Sequence, residues 1–181
     1  MEKPNIALIG LRATGKSLVG GILARRMSWP FVDMDERLTG LFGVDIDTWV
    51  RAHGWEAFRK AEAQLLAALA AQHGLVVATG GGAVLKPANR EILKDRFFVV
   101  WLKASAEILH ARLLQDRKTE TTRPPLTDLS PREEIDHLAR ERTPLYEDCA
   151  DLILDTDSSQ PEDIAAAILS VLADRSRPVG I

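Results

Sequence analysis

Residues 5–17 read Asn-Ile-Ala-Leu-Ile-Gly-Leu-Arg-Ala-Thr-Gly-Lys-Ser, an apolar run followed by a glycine-rich loop. The loop has the spacing Gly-x-x-x-x-Gly-Lys-Ser from Gly10 to Ser17, and an amphipathic stretch comes after it. Between a strand and a helix this pattern binds phosphates, because backbone N–H groups and the positive end of the helix face the anion. The alternative is a glycine-rich turn that carries Lys-Ser by coincidence. The agreement of strand, loop and helix favours a nucleoside triphosphate site.

Two side chains in this loop have a direct chemical role in such a site. Lys16 can reach the β- and γ-phosphates, and the Ser17 hydroxyl can ligate Mg²⁺. The motif alone does not distinguish GTPases, ATPases and small-molecule kinases, although the chain has no Asn-Lys-x-Asp motif for reading guanine. The predicted nucleotide-binding residues of the loop are Arg12, Ala13, Thr14, Gly15, Lys16, Ser17 and Leu18.

Composition points to one globular domain without a nucleic-acid or membrane partner. The chain has 181 residues, of which 46% are hydrophobic and 27% charged, and its formal net charge is −3. No basic run is longer than Arg25-Arg26, and no apolar run approaches the ~18 residues of a membrane span. The single cysteine, Cys149, excludes an intramolecular disulfide, and no signal peptide precedes the first apolar run. We therefore expect a cytoplasmic protein.

Strand-like and helix-like segments alternate, which predicts an α/β fold with a parallel sheet. We expect one domain over residues 1–174 and a loose tail over 175–181. The polar segment 115–129 carries basic residues and two consecutive prolines, and a loop of this length is typical of a lid or binding loop. A surface excursion without function is the alternative. The candidate strands are Asn5–Ile9, Phe31–Val32, Leu75–Thr79, Phe97–Leu102 and Leu152–Leu154.

Two carboxylates follow the second candidate strand, in the sequence Asp33-Met34-Asp35. Because the carboxyl ends of parallel strands form the ligand crevice, these groups are candidates for the site. Asp33 could meet Mg²⁺ directly or through water, and Asp35 could orient or deprotonate an acceptor hydroxyl. Aspartate is equally common where it caps a helix that follows a strand. The spacing leaves both interpretations open.

Three glycines and two arginines complete the set of candidates. Gly80, Gly81 and Gly82 follow the third candidate strand and give backbone N–H groups an unobstructed approach to a ligand, or else form a flexible turn. Arg59 has Glu62 three residues further along a helical segment, where the carboxylate could hold the guanidinium. Arg142 lies far away in sequence. Taken singly, each arginine is typical of a solvated surface group.

In order and spacing, six segments of the chain resemble the shikimate kinase family over about residues 5 to 173. The resemblance implies a single-domain fold like that of the nucleoside monophosphate kinases, with a five-stranded parallel sheet flanked by helices and a mobile lid. It implies transfer of the γ-phosphoryl group of ATP to the 3-hydroxyl of shikimate, on the route to chorismate and aromatic amino acids. The segments are Gly-Lys-Ser (15–17), Phe-Val-Asp-Met-Asp (31–35), Phe-Arg-Lys-Ala-Glu (58–62), Ala-Thr-Gly-Gly-Gly (78–82), Arg-Pro-Pro-Leu-Thr (123–127) and Arg-Thr-Pro-Leu-Tyr (142–146).

Carried onto matching positions, the resemblance assigns a role to each candidate. Ser17 becomes a Mg²⁺ ligand with Asp33 close to the ion, and Arg123 becomes the lid arginine that meets the nucleotide phosphates. Lys16, Asp35 and Arg123 are the expected catalytic residues, with MgATP and shikimate as partners and a monomeric protein. The expected shikimate contacts are Asp35, Arg59, Gly80, Gly81, Gly82 and Arg142.

The chain departs from the family at two loop positions. The family usually has glycine where Ala13 stands, and commonly serine or threonine where Leu18 stands. Because alanine tolerates a positive φ poorly, nucleotide binding is weakened if the loop needs that conformation at residue 13. Two other functions stay open: a related small-molecule kinase such as a gluconate kinase, and a nucleotide-binding regulator that has lost catalysis.

Overall fold

The computed structural model describes residues 5–115 and 130–175, which form a five-stranded parallel sheet with helices on both faces. A short 3₁₀ turn, Ala83–Leu85, follows the third strand. The strands are β1 (Asn5–Ile9), β2 (Phe31–Asp33), β3 (Val76–Ala78), β4 (Phe97–Lys103) and β5 (Leu152–Asp155), and the helices are α1 (Lys16–Met27), α2 (Met34–Phe42), α3 (Ile46–Ala70), α4 (Pro87–Arg96), α5 (Ala106–Gln115), α6 (Pro131–Cys149) and α7 (Pro161–Arg175).

The strand order places the end of β1 at the centre of one edge of the sheet. The order is β2-β3-β1-β4-β5, and every neighbouring pair is parallel. The chain therefore places β2 and β3 on one side of β1 before it crosses to place β4 and β5 on the other. The loop after β1 lies at this crossing point, in the crevice where such sheets bind ligands. The predicted fold class is confirmed, and each predicted strand is present with bounds that differ by at most one residue at either end.

The strands are largely apolar because helices cover both faces of the sheet. In β1, Ile6 and Leu8 pack with α1 and α7, whereas Ala7 and Ile9 pack on the opposite face with α3, α4 and α6. All four side chains are at most 2% exposed. Alternating residues of a strand point to opposite faces, so a strand between two helical layers needs apolar residues at every position. This packing fixes the strand ends from which the functional residues project.

Two helix boundaries also fix parts of the site. Helix α6 begins with a capping box, in which Ser130 and Glu133 satisfy each other's backbone N–H groups. Helix α3 contains a break at Gly54, whose φ of 84° and ψ of 162° are not helical. The part of α3 that follows the break carries Arg59 and Glu62 on a regular helix.

Some of the predicted segments fall outside the part of the chain that the structure describes. Gln115 is the last residue of α5 and Arg175 is the last residue of α7, so only these ends of the predicted lid and tail are described. Residues 116–129, and with them Arg123, lie outside it, as do residues 1–4 and 176–181. Of the helices that are described, none is long and apolar enough to cross a membrane.

Candidate active site

The loop between β1 and α1 is tightly wound, with a glycine packed against a neighbouring strand and two side chains bonded to the loop's own backbone. Gly10 has a φ of +138°, and a Cβ built on it would lie only 2.4 Å from the carbonyl oxygen of Leu102. Lys16 is 9% exposed, and its ammonium donates to the carbonyl oxygens of Gly10 (2.9 Å) and Leu11 (2.6 Å). Thr14 also donates to Leu11, at 2.9 Å. The loop thus holds a buried cation beside its own backbone.

The N-terminus of α1 presents uncapped N–H groups to solvent. Gly15 is the N-cap residue, so no side chain accepts from the first turn, and that turn contains no acidic residue. Because the first four N–H groups of a helix lack partners within the helix, this end attracts an anion. Ser17 and Leu18 in the first turn are exposed. The arrangement suits a polyphosphate.

Ala13 occupies the left-handed region of backbone conformation, with a φ of +62°. The loop therefore adopts at residue 13 the positive φ under which weaker nucleotide binding is expected. For a residue with a Cβ this conformation costs about 1–2 kcal/mol. The Ala13 carbonyl accepts a hydrogen bond from Arg112 at 3.2 Å, and Arg112 also binds the backbone of Thr156. This arginine ties the loop to the segment after β5.

Asp33 both caps a helix and contacts the phosphate loop, so the two interpretations of this residue are compatible. One carboxylate oxygen accepts from the backbone N–H groups of Asp35 (3.0 Å) and Glu36 (3.3 Å) at the start of α2. The other oxygen accepts from the hydroxyl of Ser17. A hydroxyl and a carboxylate oxygen are hard ligands of the kind that Mg²⁺ prefers.

Arg59 is held from several sides rather than solvated. Its Nη1 donates to Glu62 at 2.8 Å, and its guanidinium lies 5.3 Å from the ring centres of both Trp55 and Phe58. The side chain is 16% exposed, and that of Glu62 only 1%. Burial raises the pKa of Glu62 above its usual range, and the opposing attraction to Arg59 is the smaller effect. Two aromatic faces and a carboxylate therefore fix the direction of this guanidinium.

Arg142 is also buried, at 5% exposure, although it lies 83 positions further along the chain, on α6. A Cβ built on Gly81 would lie 3.7 Å from its Nη1. The Nε of Arg142 has no hydrogen-bond partner among the described residues, and its nearest carboxylate is that of Glu141 at 3.6 Å. A buried guanidinium with spare donors is suited to an anionic ligand.

Gly80 and Gly82 are needed because charged side chains approach them closely. A Cβ on Gly80 would lie 2.6 Å from Glu62 Oε1 and 3.0 Å from Asp35 Oδ1. A Cβ on Gly82 would lie 2.2 Å from Arg59 Nη2. Only glycine leaves room for these groups at positions 80 and 82, which explains two of the three glycines better than a flexible turn does.

These groups line two adjoining cavities. The smaller, whose empty space including open solvent is about 550 Å³, has Asp35, Arg59, Arg142 and residues 80–82 on its wall, with apolar side chains beside them. The larger, of about 2050 Å³ and open to solvent, is lined by residues 12–19 of the loop, Asp33 and the segment 156–161. Arg12 and Asp35 line both cavities. The site therefore brings a chamber lined by two arginines next to the glycine-rich loop.

Comparison with known proteins agrees with this geometry. The sequence model described as shikimate kinase matches residues 12–173, which is most of the chain. The chain belongs to the shikimate kinase family. A shikimate kinase from Cupriavidus pinatubonensis is 40% identical over 170 residues, covering 94% of this chain and 86% of that protein.

Solved structures of the shikimate kinase family share the whole fold. The shikimate kinase from Acinetobacter baumannii in complex with shikimate has a TM-score of 0.89 and 32% identity, covering 97% of this chain and 96% of that one. A gluconokinase from Sinorhizobium meliloti 1021 has a TM-score of 0.53 and 17% identity, covering 98% of this chain and 100% of that one. The second likeness shows the fold alone. Family membership therefore supports a kinase that uses ATP, as the sequence analysis expects.

The predicted site residues that lie in the described part of the chain come together in the structure. The larger cavity is lined by every predicted loop residue from Arg12 to Leu18, and the smaller by every predicted shikimate contact. Sequence reasoning missed Trp55 and Phe58, although they precede Arg59 by four and one positions on the same helix. It also missed Glu134, which forms an ion pair with Arg12 and which no motif marks.

Proposed function

We propose that the chain transfers the γ-phosphoryl group of ATP to the 3-hydroxyl of shikimate, giving ADP and shikimate 3-phosphate. Membership of the shikimate kinase family supports this activity, and with it a place on the route to chorismate and aromatic amino acids. The single observation that carries the mechanism is the meeting of the two cavities at Arg12 and Asp35. Phosphoryl transfer depends mainly on alignment and charge neutralisation, and adjoining cavities supply the alignment.

The larger cavity receives the triphosphate. The uncapped N-terminus of α1 faces the phosphates, and Lys16 exchanges its hydrogen bonds with the Gly10 and Leu11 carbonyls for phosphate oxygens. Since the transition state spreads charge over the phosphoryl oxygens, a cation at this position lowers the barrier. Lys16 is the catalytic cation of the proposal.

Mg²⁺ fits the groups beside the loop. Ser17 and Asp33 already share a hydrogen bond, so one hydroxyl and one carboxylate oxygen converge at the edge of the larger cavity. Within residues 5–115 and 130–175, no cluster of three or more His, Cys, Asp or Glu residues could hold a metal ion. Mg²⁺ in kinases is commonly held by one or two protein groups together with substrate phosphates, which matches this pair. When bound, the ion neutralises charge on the phosphates.

The smaller cavity receives the organic acid. Arg59 and Arg142 approach it from α3 and α6 and together grip the carboxylate of shikimate. Charge-assisted hydrogen bonds of this kind contribute on the order of 1.5–3 kcal/mol each. The backbone of residues 80–82 contacts the same ligand. A ring held at its carboxylate presents a hydroxyl toward the neighbouring cavity.

Asp35 lies where the two cavities meet, which is where the 3-hydroxyl must face the γ-phosphate. Because it lines both cavities, its carboxylate can orient the 3-hydroxyl toward the γ-phosphorus. As the bond from phosphorus to the ADP oxygen breaks, the bond to the 3-oxygen forms and the hydroxyl proton passes to Asp35. The proton transfer is late, because the hydroxyl becomes acidic only as its oxygen bonds to phosphorus, and that bond is little formed in a loose transition state.

Arg123, the lid and the oligomeric state remain parts of the proposal that rest on the family resemblance. Arg123 would add a second cation to the phosphates, and closure over residues 115–129 would exclude water as a competing acceptor. We propose a monomer that acts in the cytoplasm. Size-exclusion chromatography with light scattering tests the monomer, and an inactive Arg123→Ala variant with normal stability would support the cation.

The activity is tested by ADP release in the presence of Mg²⁺, with shikimate, with gluconate and with no acceptor. Release that depends on shikimate alone supports the proposal, and release with gluconate supports the related kinase. Calorimetric binding of ATP without transfer to any acceptor would indicate a regulator that has lost catalysis.

Three variants then test the residue roles. Lys16→Ala should lower kcat by orders of magnitude, Arg59→Lys should raise the KM for shikimate without weakening ATP binding, and Asp35→Asn should lower kcat with ATP affinity intact. Normal kinetics in any one of them removes that residue from its proposed role.

A further inference from the structure

The only tyrosine of the chain holds the backbone of the glycine triplet. The hydroxyl of Tyr146 donates to the carbonyl oxygen of Gly81 at 2.6 Å. The side chain is buried at 2% exposure, and its ring stacks on Trp101 with the ring centres 5.6 Å apart. Burial raises the pKa of Tyr146 above its usual range, so the hydroxyl keeps its proton and can donate at neutral pH.

The acceptor of this hydrogen bond belongs to a peptide that faces the smaller cavity. The Gly81 carbonyl lies in the peptide plane that also contains the N–H of Gly82, so fixing one end fixes the direction of the other. Glycine has no Cβ to restrict this plane, and three glycines in succession leave it free to rotate. A hydrogen bond to the carbonyl also polarises the peptide and makes its N–H a stronger donor.

Gly81 also touches the phosphate loop. A Cβ built on it would lie 3.4 Å from the Gly10 carbonyl oxygen and 3.6 Å from the backbone nitrogen of Arg12. The peptide held by Tyr146 is therefore packed between the loop that binds phosphate and the chamber that binds the acid. A rotation of this peptide would change the wall of the smaller cavity, which residues 80–82 line, and not that of the larger one.

Helix α6 carries Tyr146 one turn after Arg142, so the two side chains lie on the same face of the helix. Arg142 reaches the smaller cavity directly, and the Tyr146 hydroxyl both interacts with the Arg142 side chain and donates to the Gly81 carbonyl in the wall of that cavity. One helix turn thus sets both a guanidinium and a backbone donor against the same chamber.

We propose that Tyr146 is a positioning residue for acid binding, whose hydroxyl fixes the Gly81–Gly82 peptide against the bound acid. The identity of the acid rests on the proposed function. Tyr146 does not touch the reacting atoms. Removal of its hydroxyl distinguishes the two roles: a positioning residue changes the KM for the acid, whereas a residue that merely fills the core changes stability alone.

The test is Tyr146→Phe, which removes one oxygen and keeps the ring on Trp101. Since a hydrogen bond of this kind is worth about 1–1.5 kcal/mol, the KM for shikimate should rise about fivefold to tenfold. The KM for ATP should stay within about twofold, because the hydroxyl does not contact the phosphate loop. The dissociation constant of shikimate, measured by calorimetry, should rise with the KM.

A matched control is Arg96→Met, which also removes a hydrogen bond from a side chain to a backbone carbonyl. Arg96 donates to Ala70 at 3.2 Å just before β4, at the amino edge of the sheet and away from both cavities. It should lower the melting temperature and leave both KM values unchanged. If Tyr146→Phe behaves like this control, Tyr146 is structural and the inference is wrong, while shikimate turnover by the wild type still supports the proposed function.

A measurement without any substitution covers the case in which Tyr146→Phe does not fold. Because the chain contains one tyrosine, biosynthetic incorporation of 3-fluorotyrosine places a single fluorine reporter beside this hydroxyl. Its ¹⁹F resonance should move on saturation with shikimate and move less with ADP alone. An equal response to ADP, or none to shikimate, overturns the inference.

Discussion

Arg12 of the phosphate loop and Glu134 of α6 form an ion pair that joins residues 122 positions apart. The side chain of Glu134 is 3% exposed and lies in the first turn of α6, where the positive end of the helix stabilises a carboxylate. Arg12 lines both cavities. The pair therefore fixes the phosphate loop to the helix that also carries Arg142.

Replacing Glu134 by glutamine should lower the free energy of unfolding by about 2 kcal/mol, because it leaves the charge of Arg12 half buried beside a neutral group. Urea unfolding followed by circular dichroism measures the change. Glu147→Gln, at an exposed position of the same helix, serves as the control and should stay within about 0.5 kcal/mol of the wild type. Equal stability of the two variants would show that the ion pair contributes nothing.

The substitution Ala13→Gly should stabilise the protein by about 1 kcal/mol, since glycine adopts a positive φ without the Cβ clash that alanine suffers. We also expect a lower dissociation constant for ADP, because the loop no longer stores this strain when it receives phosphates. Urea unfolding and calorimetric titration with ADP measure the two effects.

Gly15→Ala is the reciprocal control, because it introduces alanine at another position with a positive φ. Gly15 has a φ of +92°, and a Cβ built on it would meet nothing within 4 Å, so any loss of stability reports backbone conformation alone. It should destabilise the protein. A neutral Gly15→Ala together with a neutral Ala13→Gly would mean that backbone strain in this loop is negligible.

Gly82→Ala should raise the KM for shikimate by about tenfold or more, because the new Cβ displaces Arg59 and weakens a bond worth about 1.5–3 kcal/mol. The KM for ATP should change little. Steady-state kinetics with each substrate varied in turn checks both. Gly40→Ala, where a Cβ meets nothing within 4 Å on α2, is the control that should leave the kinetics unchanged. An unchanged shikimate KM in Gly82→Ala would contradict the close approach of Arg59.

The raised pKa of Glu62 predicts a stability that falls with pH relative to Glu62→Gln. The unfolded chain releases this proton near the usual value of 4.5, whereas the folded protein retains it to higher pH. The folded state therefore binds more protons in that window, and the free energy of unfolding decreases as pH rises through it. Urea unfolding of both proteins at several values between about pH 5 and pH 7 measures the difference. Parallel curves would show that the pKa of Glu62 is not raised.

The fold was predictable because its signals are local. The apolar run of β1 with the glycine-rich loop after it predicted a strand and the start of α1, and the other four strands were predicted to within one residue at either end. Candidate site residues in motifs were likewise found, since Asp33, Gly82 and Arg142 stand in segments that resemble a family. Their spatial partners were not.

The missed residues act through contacts that no local pattern records. Glu134 reads as one acid among several at a helix start, and only the folded chain brings it to Arg12. Tyr146 stands in a segment that resembles the family, but nothing in the sequence pairs its hydroxyl with Gly81, 65 positions away. The alternatives for Asp33 could not be separated from sequence because the residue does both: one oxygen caps α2 and the other meets Ser17.

Arg12 and Asp35 line both cavities, so one inhibitor can reach into the two. A compound that links a cyclic carboxylic acid through its oxygen to a nucleoside polyphosphate would occupy both chambers as a single bisubstrate molecule. Its two halves would bind with one loss of translational freedom instead of two, so its affinity would exceed that of either half.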